Sequence, residues 1–158
     1  MRDPQPLRRA NPDPVCTALL TDRCASRGYD AAVPLIDRVL SLLLVEDHAE
    51  VRAALRDWLL MSLPPTKVRE AGSMAEALAC TDAAPVDLIL MNLELPGPNG
   101  IEATRALRKR HPKCPVVIMS VNDSEALRTA ALDAGALAFV SKRELPHALL
   151  PLIGRLPG

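Results

Sequence analysis

From residue 39 onward, short and nearly continuous apolar runs alternate with stretches in which apolar residues recur at helical spacing. Val39 to Val45 is the first such run, consistent with a strand buried on both faces. Asp47-His48-Ala49-Glu50 then opens an amphipathic stretch with Val51, Ala54, Leu55, Trp58 and Leu59 on one face. Asp47 or His48 is placed to cap that helix, and Pro64-Pro65 ends it. Lys67 to Glu70 reads as a short second strand. Ser73-Met74-Ala75-Glu76 has the form of a capping box, with Ala77 and Leu78 as the apolar face behind it.

The pattern repeats three more times. Asp87 to Met91 is a third strand, and Gly100 to His111 is a helix with Ile101, Thr104, Leu107 and Arg108 in sequence, stopped by Pro112. Pro115 to Met119 is a fourth strand. Asn122-Asp123-Ser124-Glu125 caps a helix running to Ala134, where Gly135 supplies the stop. Leu137 to Val140 is a fifth strand. A last helix is expected from Leu145 to about Leu156, with Pro146 acceptable in its first turn. Pro151 lies well inside it, removes a hydrogen bond and clashes with the preceding turn, so this helix should be kinked or broken.

Five strand–helix units in alternation imply an α/β fold with a doubly wound parallel sheet. In such sheets ligands bind beyond the carboxyl ends of the strands. Glu46-Asp47 follow the first strand, Asn92 ends the third, Ser120 ends the fourth and Lys142 ends the fifth. The turn Leu93-Glu94-Leu95-Pro96-Gly97-Pro98-Asn99-Gly100 follows Asn92. Acids, a hydroxyl and an ammonium converging from separate strand ends suit a carboxylate that accepts a phosphoryl group beside a metal ion. Here the acceptor position holds an amide.

Residues 1–38 differ in texture. Pro4, Pro6, Pro12, Pro14 and Pro34 punctuate them, and only Val15 to Thr21 could make a turn or two of helix. They bury too little apolar surface to offset their ordering entropy, so they read as a flexible extension of a domain spanning 39–158. A translation start near Val33 or Val39 is the alternative.

Composition narrows the function classes. Formal net charge is zero and the pI is near 6.8, so bulk charge gives no hold on nucleic acid or an anionic membrane. Aromatic content of 2% leaves the core to Leu, Val, Ile, Ala and Met. Cys16, Cys24, Cys80 and Cys114 are scattered without metal-site spacing and read as free thiols in a reducing cytosol. No apolar stretch is long enough to span a bilayer and no signal-peptide core follows the first arginines, so a cytoplasmic protein is expected. His48, His111 and His147 share no ligand spacing and read as surface residues; Trp58 reads as a packing residue.

The motifs LLLVEDHAEVR, VDLILMNLELPGPNGIEATRALR, PVVIMSVND and DAGALAFVSK, in this order, resemble a response-regulator receiver domain over residues 39–158. The resemblance is to CheY-like receivers, nearest to those of nitrate-regulator or LuxR-like regulators. It implies a five-stranded sheet of order 2-1-3-4-5 and a place in a two-component phosphorelay. It implies that Glu46, Asp47 and the backbone carbonyl of Glu94 hold a magnesium ion, and that Ser120 and Lys142 contact phosphoryl oxygens. Phe139 is then the switch aromatic and Asn92 occupies the acceptor position. Where many receivers have proline after the lysine, this chain has Arg143. The kinked last helix puts the usual output face in question.

An amide oxygen has its lone pair drawn into resonance and cannot form a stable acyl phosphate. The expectation is therefore a pseudo-receiver, binding magnesium weakly and acting by contact with a histidine kinase or another signalling protein. A homodimer is open; direct nucleic-acid binding and membrane association are not expected. The stretch after Lys142 is barely one helix, so a stand-alone domain without a DNA-binding output is expected. The alternative is a genuine phospho-accepting receiver in which Asn92 is a substitution. A small α/β enzyme is a third reading, but the chain has no Gly-rich phosphate loop and no nucleophile–base pair.

Overall fold

A computed structural model describes residues 39–156, so the extension expected over 1–38 lies outside the described residues. In chain order the elements are β1 (Leu40–Val45), α1 (Ala49–Ser62), β2 (Thr66–Ala71), α2 (Met74–Ala83) and β3 (Leu88–Asn92). They continue as α3 (Gly100–Arg110), β4 (Val116–Ser120), α4 (Glu125–Asp133), β5 (Ala138–Ser141) and α5 (Leu145–Ile153). All strands pair in parallel in one sheet of order β2-β1-β3-β4-β5, as the resemblance implied.

Successive strand residues point to opposite faces, and the central strands are apolar on both. On one face, Leu43, Val45, Ile89, Met91, Val116 and Ile118 pack with Ala77 of α2, Ala103 and Leu107 of α3 and Ala131 of α4. On the other, Leu42, Leu44, Leu88, Leu90, Val117 and Met119 pack with Leu59 of α1 and with Leu145, Leu149 and Ile153 of α5. This two-sided burial is why β1, β3 and β4 read as continuous apolar runs. β2 is one of the two edge strands, opposite β5; Lys67 and Arg69 interrupt it, and all but Ala71 are only partly covered or exposed.

Local signals set the helix ends. Ser73 accepts the Glu76 amide, while the Glu76 carboxylate reaches Gly72 N rather than completing the box on Ser73. Asn99 forms a full capping box with Glu102 at the start of α3. At the end of α4, Gly135 has φ +94°, Gly135 N donates to Leu132 O and Ala136 N to Ala131 O, which is a Schellman closure.

Three further expectations need correction. α1 turns Leu55, Trp58 and Leu59 toward the sheet, whereas Val51 and Ala54 are exposed. His48 takes the N-cap position of α1, but neither its side chain nor that of Asp47 caps the helix. Finally, of the kink or break expected at Pro151, the break does not occur: α5 runs on to Ile153. Leu149 and Ile153 lie buried on either side of the proline, and their packing against the sheet holds the last turn together. The chain then leaves through single-turn bonds, Arg155 N to Leu152 O and Leu156 N to Ile153 O.

Gly100 positions α3 beneath the site. A Cβ there would fall 2.3 Å from Asn92 O and 2.8 Å from Leu93 Cα, both backbone atoms. The close approach lets Gly100 N donate to Leu93 O at 2.8 Å. Gly100→Ala is expected to destabilise the fold by about 3 kcal/mol, because neither backbone atom can give way cheaply. Urea denaturation of the variant checks this; a change in midpoint within error of the native chain would contradict it.

Candidate functional site

The carboxyl ends of β1, β3, β4 and β5 meet at one edge of the sheet, set by their register: Val45 pairs with Met91, Asn92 with Met119, and Ser120 with Ser141. Each strand delivers its terminal polar residue there. Glu46, fully buried just past β1, is the hub. Lys142 Nζ lies 2.8 Å from its Oε2, while Asn92 Nδ2 and His48 N approach its Oε1 at 3.2 and 3.3 Å. A carboxylate this deep stays soluble in the protein only because a cation and several donors face it.

Asn92 is 1% exposed, and its amide nitrogen is the centre of the arrangement. Nδ2 lies 3.2 Å from Glu46 Oε1, 3.1 Å from Asp47 Oδ1 and 2.8 Å from the Glu94 carbonyl oxygen. Turning the amide over would set Oδ1 against three oxygens, so this orientation follows from the neighbours. Oδ1 has no hydrogen-bond partner among the described residues. These three oxygens are the donors that the family resemblance assigns to magnesium. They are the hard ligands such an ion prefers, but the point they converge on holds an N–H donor. These oxygens are a magnesium-type donor set, but with Asn92 so placed an ion could use them only by displacing the amide nitrogen.

Around this cluster, burial pushes the Asp47 carboxyl up. Its backbone hydrogen bond, the neighbouring His48 and hydrogen bonds with Glu46 and Asn92 outweigh that and leave it below its ordinary value. His48 Nδ1 lies 3.4 Å from Glu46 Oε1 and 3.3 Å from Asp47 Oδ1, although the imidazole is largely exposed. One ligand atom from each of Glu46, Asp47 and His48 falls within 4.8 Å of the others. Ser120, fully buried, donates its hydroxyl to Glu94 Oε1 at 2.6 Å and accepts Asn122 N at 2.9 Å.

Glu46, Asp47, Asn92, Glu94, Ser120 and Lys142 are thus brought together. Phe139 is not part of the polar cluster: it is buried on the α4 side of the sheet, with the Arg128 guanidinium 5.4 Å from its ring centroid. Arg128 is itself clamped by Asp123 at 2.5 and 2.6 Å, which holds the Asp123 carboxyl below its usual range. The Glu94 side chain escaped the sequence reading, and the proximity of His48 to the acids did too. His48 is exposed, as a surface residue should be, and its nearness to Glu46 and Asp47 was signalled only by its directly following two acids at a strand end. The Glu94 side chain lies in an aperiodic turn, where only its backbone carbonyl was expected to matter. Of the thiols, Cys80 and Cys114 are free, and burial pushes Cys114 up to about 11, which leaves it unreactive.

Comparison with known proteins bears on what this geometry serves. The model of the response regulator receiver domain matches residues 42–153. The transcriptional activator protein ExaE of Pseudomonas putida is 39% identical over 117 residues, covering 74% of this chain and 55% of that protein. The chain spans about half the length of the curated relatives of this kind that it matches. Among solved structures, a LuxR-family two-component response regulator from Aurantimonas sp. SI85-9A1 is 33% identical with a TM-score of 0.68, covering 74% of this chain and 84% of that one. The response regulator domain of Thermotoga maritima CheB is 31% identical with a TM-score of 0.66, covering 75% and 96%.

Proposed function

This chain belongs to the response regulator receiver domain family of two-component systems, and from that premise we propose that it is a receiver whose acceptor position takes no phosphoryl group. The observation that carries this reading is Asn92 Nδ2, ringed by Glu46, Asp47 and the Glu94 carbonyl. Phosphoryl acceptance needs an anionic oxygen aligned on phosphorus and positive charge on the equatorial oxygens. Asn92 offers a neutral amide that points its nitrogen into the acidic cluster. Lys142, the cation for those equatorial oxygens, is committed to Glu46.

On this reading the domain works by protein–protein contact with a histidine kinase or another signalling protein in the cytoplasm, and no enzymatic step is assigned to it. Among the described residues no helix is long and apolar enough to cross a membrane. Magnesium binds weakly, because an ion must first displace the amide nitrogen. A second reading, a phospho-accepting receiver carrying a substitution at Asn92, draws on the otherwise full set of Glu46, Asp47, Ser120 and Lys142.

Incubation with acetyl phosphate and magnesium, read by intact mass, tests the proposal. The native chain is expected to gain nothing, and Asn92→Asp to gain one phosphoryl group. An acid-labile phosphoryl adduct on the native chain would overturn the proposal.

A further inference from the structure

Ser120 has one hydroxyl proton, and the structure shows where it goes. It points at Glu94 Oε1, 2.6 Å away, a length in the range of a charge-assisted O–H to carboxylate bond. Glu94 comes from the turn after β3 and is itself exposed, so its carboxylate reaches inward to a fully buried hydroxyl. The same residue's carbonyl binds Asn92 Nδ2 at 2.8 Å. Glu94 therefore joins the acceptor position to the end of β4 within one residue.

We propose that the Glu94 carboxylate is an internal anion that stands where a phosphoryl oxygen would meet Ser120, so that the domain is held in its anion-engaged arrangement without phosphorylation. This rests on the reading above, that Asn92 takes no phosphoryl group, and adds how the same site is then regulated: by the chain's own side chain, permanently. The arrangement extends beyond the pocket through contiguous contacts. Ser120 Oγ holds Asn122 N, the adjacent Asp123 clamps Arg128, and Arg128 lies over the Phe139 ring and reaches Phe139 O at 3.5 Å. Such a chain of contacts can carry a change at Glu94 to the face formed by α4 and β5 if its members move together.

Phe139 is the only phenylalanine in the protein, so para-fluorophenylalanine labelling yields a single fluorine resonance for it. In the native chain that resonance is expected to be a single line with the small solvent-isotope shift of a buried ring, unchanged by beryllofluoride with magnesium. Glu94→Ala removes the anion and is expected to move the line toward the solvent-exposed position. Glu94→Gln, which keeps length and volume but not charge, is expected to move it part of the way in the same direction. In the double variant Asn92→Asp/Glu94→Ala, beryllofluoride with magnesium is expected to return the line toward its native place. Glu94 is exposed, and thermal melts of each variant confirm that it is folded when the spectrum is taken.

An unmoved Phe139 line in both folded Glu94 variants would overturn the inference. That failure is separable from failure of the underlying reading. A phosphoryl adduct on the native chain sinks the reading wherever the fluorine line lies. Absence of an adduct with an unmoved line sinks only the role of Glu94.

Discussion

Lys142→Met is expected to destabilise the domain by about 3–5 kcal/mol, the cost of leaving a buried carboxylate without its counter-charge. Glu46 is fully buried and Lys142 largely so, their side chains being 0% and 17% exposed, with Nζ 2.8 Å from Oε2. The remaining donors to Glu46, Asn92 Nδ2 and His48 N, are longer at 3.2 and 3.3 Å and carry no full charge. They soften the loss, which places the expected value near the low end. Urea denaturation measures it. If the pair behaved as a surface salt bridge, the change would stay below about 1 kcal/mol, and the central place given to Glu46 would be wrong. The double variant Glu46→Gln/Lys142→Met should recover much of the loss, since removing both charges leaves neither one stranded.

The second large effect concerns Asn92→Asp. The substitution removes the donor that now satisfies Glu46, Asp47 and the Glu94 carbonyl, and sets a third carboxylate beside two others. Two like unit charges about 4 Å apart repel by about 4 kcal/mol at an effective dielectric near 20. One offset is that the buried Asn92 Oδ1, unpartnered among the described residues, already costs the native chain about 1–3 kcal/mol. The variant is therefore expected to be less stable by a few kcal/mol without divalent ions. Magnesium should restore it by about 2.7 kcal/mol at a hundred times its dissociation constant. The native chain should show almost no such dependence, since an amide nitrogen already satisfies the oxygens that the ion would need. Thermal melts of both proteins with and without magnesium measure the contrast.

Much of this was legible in the sequence, for identifiable physical reasons. β1, β3 and β4 are covered on both faces, so they are written as unbroken apolar runs, and a strand end is then easy to place. That is how Glu46, Asp47, Asn92, Ser120 and Lys142 could be collected from separate stretches of chain. Gly135 was legible as a helix stop because only a residue free of Cβ takes φ +94° without strain. The edge strand β2 was harder, since Lys67 and Arg69 break its pattern and it extends to Thr66 and Ala71.

What stayed hidden depends on tertiary packing or on side-chain direction. Pro151 argues locally for a break in α5, but the burial of Leu149 and Ile153 outweighs one lost hydrogen bond. Val51 and Ala54 have the right spacing for the buried face of α1, and nothing local reveals that the sheet beneath is covered by Leu55, Trp58 and Leu59 instead. The Glu94 side chain sits in a turn without periodicity. Its reach to Ser120 depends on how β3 and β4 lie side by side, which no short window of sequence contains.

The central claim is that the Asn92 amide nitrogen holds the point a divalent cation would need. Titration calorimetry of the native chain with magnesium tests it most directly. No binding in the sub-millimolar range is expected for the native chain, and binding is expected to appear in Asn92→Asp. Sub-millimolar affinity of the native chain for magnesium would contradict the account.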